Sequence, residues 1–133
     1  MKAKELIIKH EGFEPFTYRC ESGRLTIGYG FNLDAIPMPQ VVADIWLGYL
    51  ITEITIRLSQ DLDFFSTLSE NRQAVLIDMA YNLGCDGLYS FQKMITAIKE
   101  KDYDRASDEM IDSKWYNQVG VRGKENERLM REG

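Results

Sequence analysis

The spacing of the apolar residues changes twice along this chain, and these changes limit what it can fold into. In residues 2–11 apolar side chains recur at three- and four-residue steps and Gly12 follows as a stop, which predicts a short amphipathic helix ending at Glu11. In residues 16–33 the pattern becomes Thr, Tyr, Phe and Ile punctuated by glycines, with a turn at 21–23. This second pattern predicts a β-hairpin with room for a third strand.

Helical spacing then returns and dominates the rest of the chain. Pro39 suits the first turn of a long helix over 39–60, and further helices are predicted to begin at Ser69 and to span 91–99 and 102–112. The helix from Ser69 is expected to end at Gly84. The apolar stripe predicted for the long helix consists of Val42, Ile45, Trp46, Tyr49, Ile54 and Leu58.

These elements predict an α+β fold that is mainly helical and has two lobes. At 133 residues we expect a single domain, 1–133. A small antiparallel β-hairpin lobe (12–38) is joined by a long helix (39–60) to a larger helical lobe (61–133 together with 1–11), and the cleft lies between the lobes. Trp46, Trp115 and the methionines at 79, 94 and 110 are expected in the core.

The charge balance excludes several kinds of partner. With 16 Lys and Arg against 21 Asp and Glu, the formal charge of −5 disfavours bulk attraction to nucleic acid or to an anionic membrane. No stretch reaches the ~18 apolar residues of a membrane span. Residues 1–11 contain no continuous apolar region, so we expect no signal peptide.

The two cysteines, Cys20 and Cys85, are too few for a disulfide framework. They also lack the C-x-x-C spacing and the supporting histidines of a zinc site, so no metal or other cofactor is predicted. Two lone thiols are typical of a protein made in a reducing compartment.

A helix-terminal carboxyl leads directly into the glycine-rich hairpin, and this is the feature that points to chemistry. The negative end of the helix dipole favours the neutral form of Glu11, which is the form that a general acid requires. A turn near 22–23 brings Cys20 and Thr26 back toward each other, so that an acid, a thiol and a hydroxyl can line one cleft. Alone, Glu11 is more often a solvated residue and Cys20 a small apolar one.

Residues 11–30 resemble the signature of the phage-type lysozymes, the muramidase endolysins typified by the T-even phages. In that signature a Glu-Gly pair is followed by Asp or Cys and then by Thr, and here these positions are Glu11, Cys20 and Thr26 within a Thr-Ile-Gly-x-Gly run. The resemblance continues through AVLIDMAYNLG at 74–84, Phe91, and SKWYNQ at 113–118 followed by Arg122. It therefore covers nearly the whole chain in order.

The resemblance implies hydrolysis of the β-1,4 bond between N-acetylmuramic acid and N-acetylglucosamine in peptidoglycan. Glu11 would be the general acid, Thr26 would hold water or lie beneath the anomeric carbon, and Cys20 would be the second catalytic residue. Cys20 could act as a base, stabilise positive charge on the sugar or attack it covalently. The resemblance also implies that Arg122 orients the acid and that the substrate-binding residues are Tyr81, Asn32, Met94 and Glu109.

Two other functions stay open at this point: a lytic transglycosylase that forms 1,6-anhydro products, and a wall-binding domain without catalytic activity. As an endolysin, the protein would be a monomer made in the cytoplasm of the host bacterium. It would reach the cell wall through a holin-type membrane protein.

Overall fold

The computed structural model describes residues 2–133 as seven helices and a three-stranded antiparallel sheet, which confirms the mainly helical α+β class. A 3₁₀ turn at Phe65–Thr67 follows the second of these helices. The elements in chain order are α1 (Lys2–Glu11), β1 (Glu14–Arg19), β2 (Leu25–Gly28), β3 (Phe31–Asn32), α2 (Gln40–Asp61), α3 (Glu70–Tyr89), α4 (Gln92–Lys99), α5 (Tyr103–Ile111), α6 (Lys114–Val119) and α7 (Val121–Glu132).

The chain forms two compact units, one up to Asp44 and one from Ile45 to Gly133. The helix α1 belongs to the same unit as the sheet. This grouping differs from the expected one, in which residues 1–11 are part of the helical lobe with 61–133. Within residues 2–133 no helix is both long and apolar enough to cross a membrane.

The unit of residues 2–44 is organised by its sheet. The strand order is β1-β2-β3, and the register sets Thr26 of β2 opposite Tyr18 of β1 and Asn32 of β3. Because opposite residues of an antiparallel pair project to the same face, the side chains of these three residues share one face. The predicted hairpin and its third strand are both present.

The unit of residues 45–133 is built around an apolar core. Its helix α3 begins with a cap in which the Ser69 hydroxyl accepts a hydrogen bond from the Arg72 amide. The backbone is non-helical at Gly84, where φ is 76°, so the first helical stretch of α3 ends at this glycine as predicted, and a second stretch continues to Tyr89. Core side chains include Val75, Leu76, Met79, Met94, Ala106, Met110, Trp115 and Met130.

The helix predicted over 39–60 is present as α2, but its apolar stripe is exposed along most of its length, and the expected place of Trp46 in the core is wrong. Among the predicted stripe only Leu58 is buried and Ile54 partly so, whereas Trp46 is 46% exposed. The reason is that α2 crosses from one unit into the other, and only its C-terminal end enters the core of residues 45–133. Trp115 and the three methionines are in that core, as predicted.

Candidate active site

The predicted site residues are divided between the two units. Glu11, Cys20, Thr26 and Asn32 lie in residues 2–44, and Tyr81, Met94, Glu109 and Arg122 lie in residues 45–133.

The carboxyl group of Glu11 rests against the backbone of Gly30. The helix α1 ends because Gly12 adopts a positive φ of 67° while its amide still bonds to the carbonyl of Ile8, at 2.9 Å. A Cβ added to Gly30 would lie 2.5 Å from Glu11 Oε2 and 2.8 Å from its Cδ. The carboxyl therefore occupies space that only a glycine at position 30 leaves open.

Cys20 lies in the connection between β1 and β2. Its sulfur is 3.1 Å from the hydroxyl oxygen of Ser22. This hydrogen bond is the largest cause that lowers the pKa of Cys20 to about 7, with a further contribution from the backbone of Arg24. A thiol with this pKa is about half ionised at neutral pH, whereas an ordinary cysteine is mostly protonated there.

Thr26 is 4% exposed, and it is the buried polar residue of its sheet. Its hydroxyl donates to the carbonyl of Arg24 at 2.9 Å. The remaining lone pairs of this oxygen are acceptors, so Thr26 can accept a hydrogen bond from a water molecule. Asn32, opposite Thr26, uses its side-chain oxygen to accept from the amide of Asp34 at 3.1 Å.

In the second unit, Arg122 is held by a carboxylate that the sequence analysis did not single out. Arg122 Nε and Nη2 donate to the two oxygens of Asp78 at 2.9 and 2.8 Å, and Asn126 Nδ2 donates to the same carboxylate at 2.7 Å. The Arg122 hydrogen bond is the main cause that lowers the pKa of Asp78. Tyr81 follows Asp78 by less than one helical turn and is 51% exposed.

Met94 and Glu109 line the same pocket, which has a volume of about 360 Å³. The methionine is 1% exposed and is a core residue, whereas Glu109 is partly exposed. Burial therefore supports the packing role of Met94, and its contact with a sugar stays a prediction. The other residues that line this pocket are Ser90, Phe91, Gln92, Lys93, Asp112 and Ser113.

Three groups at these sites were not predicted: Ser22 beside Cys20, Gly30 beneath Glu11, and Asp78 beside Arg122. A signal existed for Asp78, because it is a carboxylate in the otherwise apolar run between Val75 and Met79. Among residues 2–133 there is no cluster of three or more His, Cys, Asp or Glu side chains able to hold a metal ion.

The fold is lysozyme-like: a short helix is followed by a small antiparallel sheet and then by a mainly helical unit. The family described as phage lysozyme matches residues 8–131, so the chain belongs to the phage lysozyme family and is a peptidoglycan-lytic enzyme. It is similar to the endolysin of Acyrthosiphon pisum secondary endosymbiont phage 1. The two are 29% identical over 128 residues, which cover 92% of this chain and 82% of that relative.

Proposed function

We propose that this protein is an endolysin that hydrolyses the β-1,4 bond between N-acetylmuramic acid and N-acetylglucosamine and so lyses the host cell. The observation that carries this proposal is that one unit holds both Glu11, whose carboxyl packs against Gly30, and Cys20, whose thiol has a pKa of about 7. The chain that holds them belongs to the phage lysozyme family. Glycosidic hydrolysis uses a general acid and a second group, usually a carboxylate, and Cys20 is proposed to take the second place here.

Glu11 acts as the general acid. Its proton passes to the glycosidic oxygen as the bond from that oxygen to the anomeric carbon breaks, and water then supplies the new hydroxyl at this carbon. Thr26 accepts a hydrogen bond from that water, because its own proton is already donated to the carbonyl of Arg24. This hydrogen bond leaves the lone pairs of the Thr26 oxygen as acceptors.

Cys20 is the second catalytic residue and acts as the thiolate. It either takes the proton of the attacking water, or stabilises the positive charge on the sugar, or attacks the anomeric carbon itself. All three roles need an ionised sulfur, and the Ser22 hydrogen bond favours that form.

The second unit contributes the orienting and sugar-binding groups. Arg122 is proposed as the orienting residue, and Asp78 fixes its guanidinium through Nε and Nη2. Tyr81 offers an aromatic face to a sugar ring. The remaining sugar contacts come from the pocket that Met94 and Glu109 line and from Asn32 of the first unit.

The test is the digestion of purified peptidoglycan by the wild type, Glu11→Gln, Cys20→Ala and a control, Glu14→Gln, which changes an exposed glutamate of β1. We expect the control to match the wild type and Glu11→Gln to lose a factor on the order of 10² to 10⁴ in rate, the usual contribution of a general acid. Cys20→Ala is also expected to be strongly impaired.

Analysis of the products decides the reaction. Muramidase hydrolysis gives fragments that carry reduced muramic acid after borohydride treatment. Reduced glucosamine would instead indicate cleavage of the other glycosidic bond, and products lighter by one water that resist reduction would indicate a lytic transglycosylase. If Glu11→Gln digests as fast as the wild type, or if neither digests, the proposed catalytic function is wrong.

We further propose that the protein acts as a monomer, is made in the cytoplasm of the host and reaches the wall through a holin-type membrane protein. The proposal is supported by membership of the phage lysozyme family. Nucleic acid is not among the proposed partners, since the net charge is −5.

A further inference from the structure

The connection that carries Cys20 is held by backbone hydrogen bonds. The amide of Cys20 donates to the carbonyl of Arg24 at 3.0 Å, and the amide of Gly23 donates to the carbonyl of Cys20 at 2.8 Å. Gly23 has a positive φ of 81°, which the turn requires. Both backbone groups of Cys20 are thus bonded, so the direction of its side chain is set by the turn.

The side chain of Ser22 takes no part in these backbone bonds. Its hydroxyl is instead 3.1 Å from the sulfur of Cys20. A serine hydroxyl can donate to a thiolate, and a hydrogen bond to the charged form of a group stabilises that form. Ser22 is exposed, so its hydroxyl can be removed without leaving a buried polar group unpaired.

Charged side chains near the turn do not provide an equivalent effect. Arg19 is directed to the carbonyl of Gly23 at 3.2 Å and to Asp34 at 3.9 Å. Hydrogen bonds are the causes that lower the pKa of Cys20, with Ser22 first. The charged groups of the turn and of the strands next to it are Glu14, Arg19, Glu21 and Arg24, and Asp34 follows β3.

We propose that Ser22 is a positioning residue that holds the Cys20 sulfur in one orientation and in its thiolate form for the glycosidic reaction. This inference rests on the proposed function, because it assigns to Ser22 the activation of the second catalytic residue. Ser22 itself touches neither the sugar nor the water in this role, and it acts only through the sulfur.

The experiment measures the ionisation of Cys20 directly. All variants carry Cys85→Ala, so that Cys20 is the single thiol, and its rate of alkylation by iodoacetamide is followed against pH. The variants are Ser22→Ala, Ser22→Thr, which keeps a hydroxyl, and Ser66→Ala, an exposed serine of the other unit that serves as the control.

The parent and Ser66→Ala should show a midpoint near the pKa of about 7. We expect Ser22→Ala to move the midpoint upward by about one unit, which leaves roughly tenfold less thiolate at pH 6. Ser22→Thr should restore most of the parent behaviour. The acid limb of the kcat profile for lysis should move with the thiol midpoint, and KM should change little.

An unchanged thiol midpoint in Ser22→Ala would overturn the inference, as would a kcat profile that stays in place while the midpoint moves. If the midpoint moves but the parent does not digest peptidoglycan, the proposed function fails while the coupling of Ser22 to the Cys20 sulfur stands. The two failures are therefore distinguishable.

Discussion

The two units of this member of the phage lysozyme family are stabilised in different ways. In residues 45–133 a continuous apolar core links helices α3 to α7, and every buried apolar side chain of residues 2–133 lies at Leu58 or beyond. In residues 2–44 the buried positions are Thr26 and Gly28, and α1 buries no residue. The first unit is therefore held by sheet hydrogen bonds and turns, and the second by apolar packing.

This difference in packing matters because the proposed catalytic groups lie in the less packed unit. Apolar packing resists local opening, whereas a small sheet without a core opens at low cost. The proposed acid and thiol are on the unit with less packing, where loops and turns set their geometry. Substitutions in the apolar core of the second unit should consequently affect mainly stability, and substitutions around the proposed acid and thiol of the first unit should affect mainly activity.

The largest expected effect is on the core of residues 45–133. Leu76→Ala removes a fully buried side chain and should lower the free energy of unfolding by about 2–5 kcal/mol. The matched change Leu6→Ala, at an exposed position of α1, should cost less than about 0.5 kcal/mol. Urea unfolding followed by circular dichroism measures both. Equal losses would contradict the contrast between the units.

Gly30→Ala should affect activity more than global stability. The added methyl would occupy the position of the Glu11 carboxyl, and misplacing a catalytic group by about 1 Å can cost on the order of a hundredfold in rate. Gly84→Ala is the control, because it introduces a similar positive-φ strain in the other unit with nothing within 4 Å of the new carbon. We expect lysis to be lost in the first variant and retained in the second. Similar lysis rates in both would show that the carboxyl does not depend on Gly30.

Asp78→Asn should give the smallest effect, and one that depends on pH. Because Arg122 lowers the pKa of Asp78 in the folded protein, its stabilisation is present above the unfolded value of about 4 and is lost as the pH falls through the folded value. The pair is partly exposed, so at pH 7 the substitution should cost no more than about 1 kcal/mol.

Urea unfolding of the wild type and Asp78→Asn at pH 7 and at pH 3 checks this sign. The difference in unfolding free energy should shrink at the lower pH, and Asp63→Asn, at an exposed position, should show no such trend. A difference that grows toward pH 3 would contradict the role of Arg122 as the stabilising partner.

The sequence predicted the elements well where local signals are strong. The boundaries of α1, α4 and α5 follow from apolar spacing and from stops such as Gly12, and family membership is confirmed over 8–131. The apolar stripe of α2 was misread because its residues repeat at helical spacing, yet spacing alone does not reveal whether another element covers them. Trp46 shows this limit directly.

The sequence allows a site to be proposed as a set of residues, but it does not give their contacts. Glu11, Cys20 and Thr26 are proposed from their order along the chain, whereas Ser22 appeared only as a turn residue and Asp78 only within a helix. Side-chain hydrogen bonds such as Cys20 to Ser22 depend on turn geometry, and those such as Arg122 to Asp78 depend on how distant helices pack. Neither is encoded in residue spacing.

The unequal burial of the two tryptophans has an optical consequence. Trp115 is 4% exposed and donates its indole hydrogen to Asn82, whereas Trp46 lies on the surface of α2. The intrinsic fluorescence of the molecule therefore divides into a blue-shifted emission from the core and a red-shifted emission that a dissolved quencher such as iodide can reach.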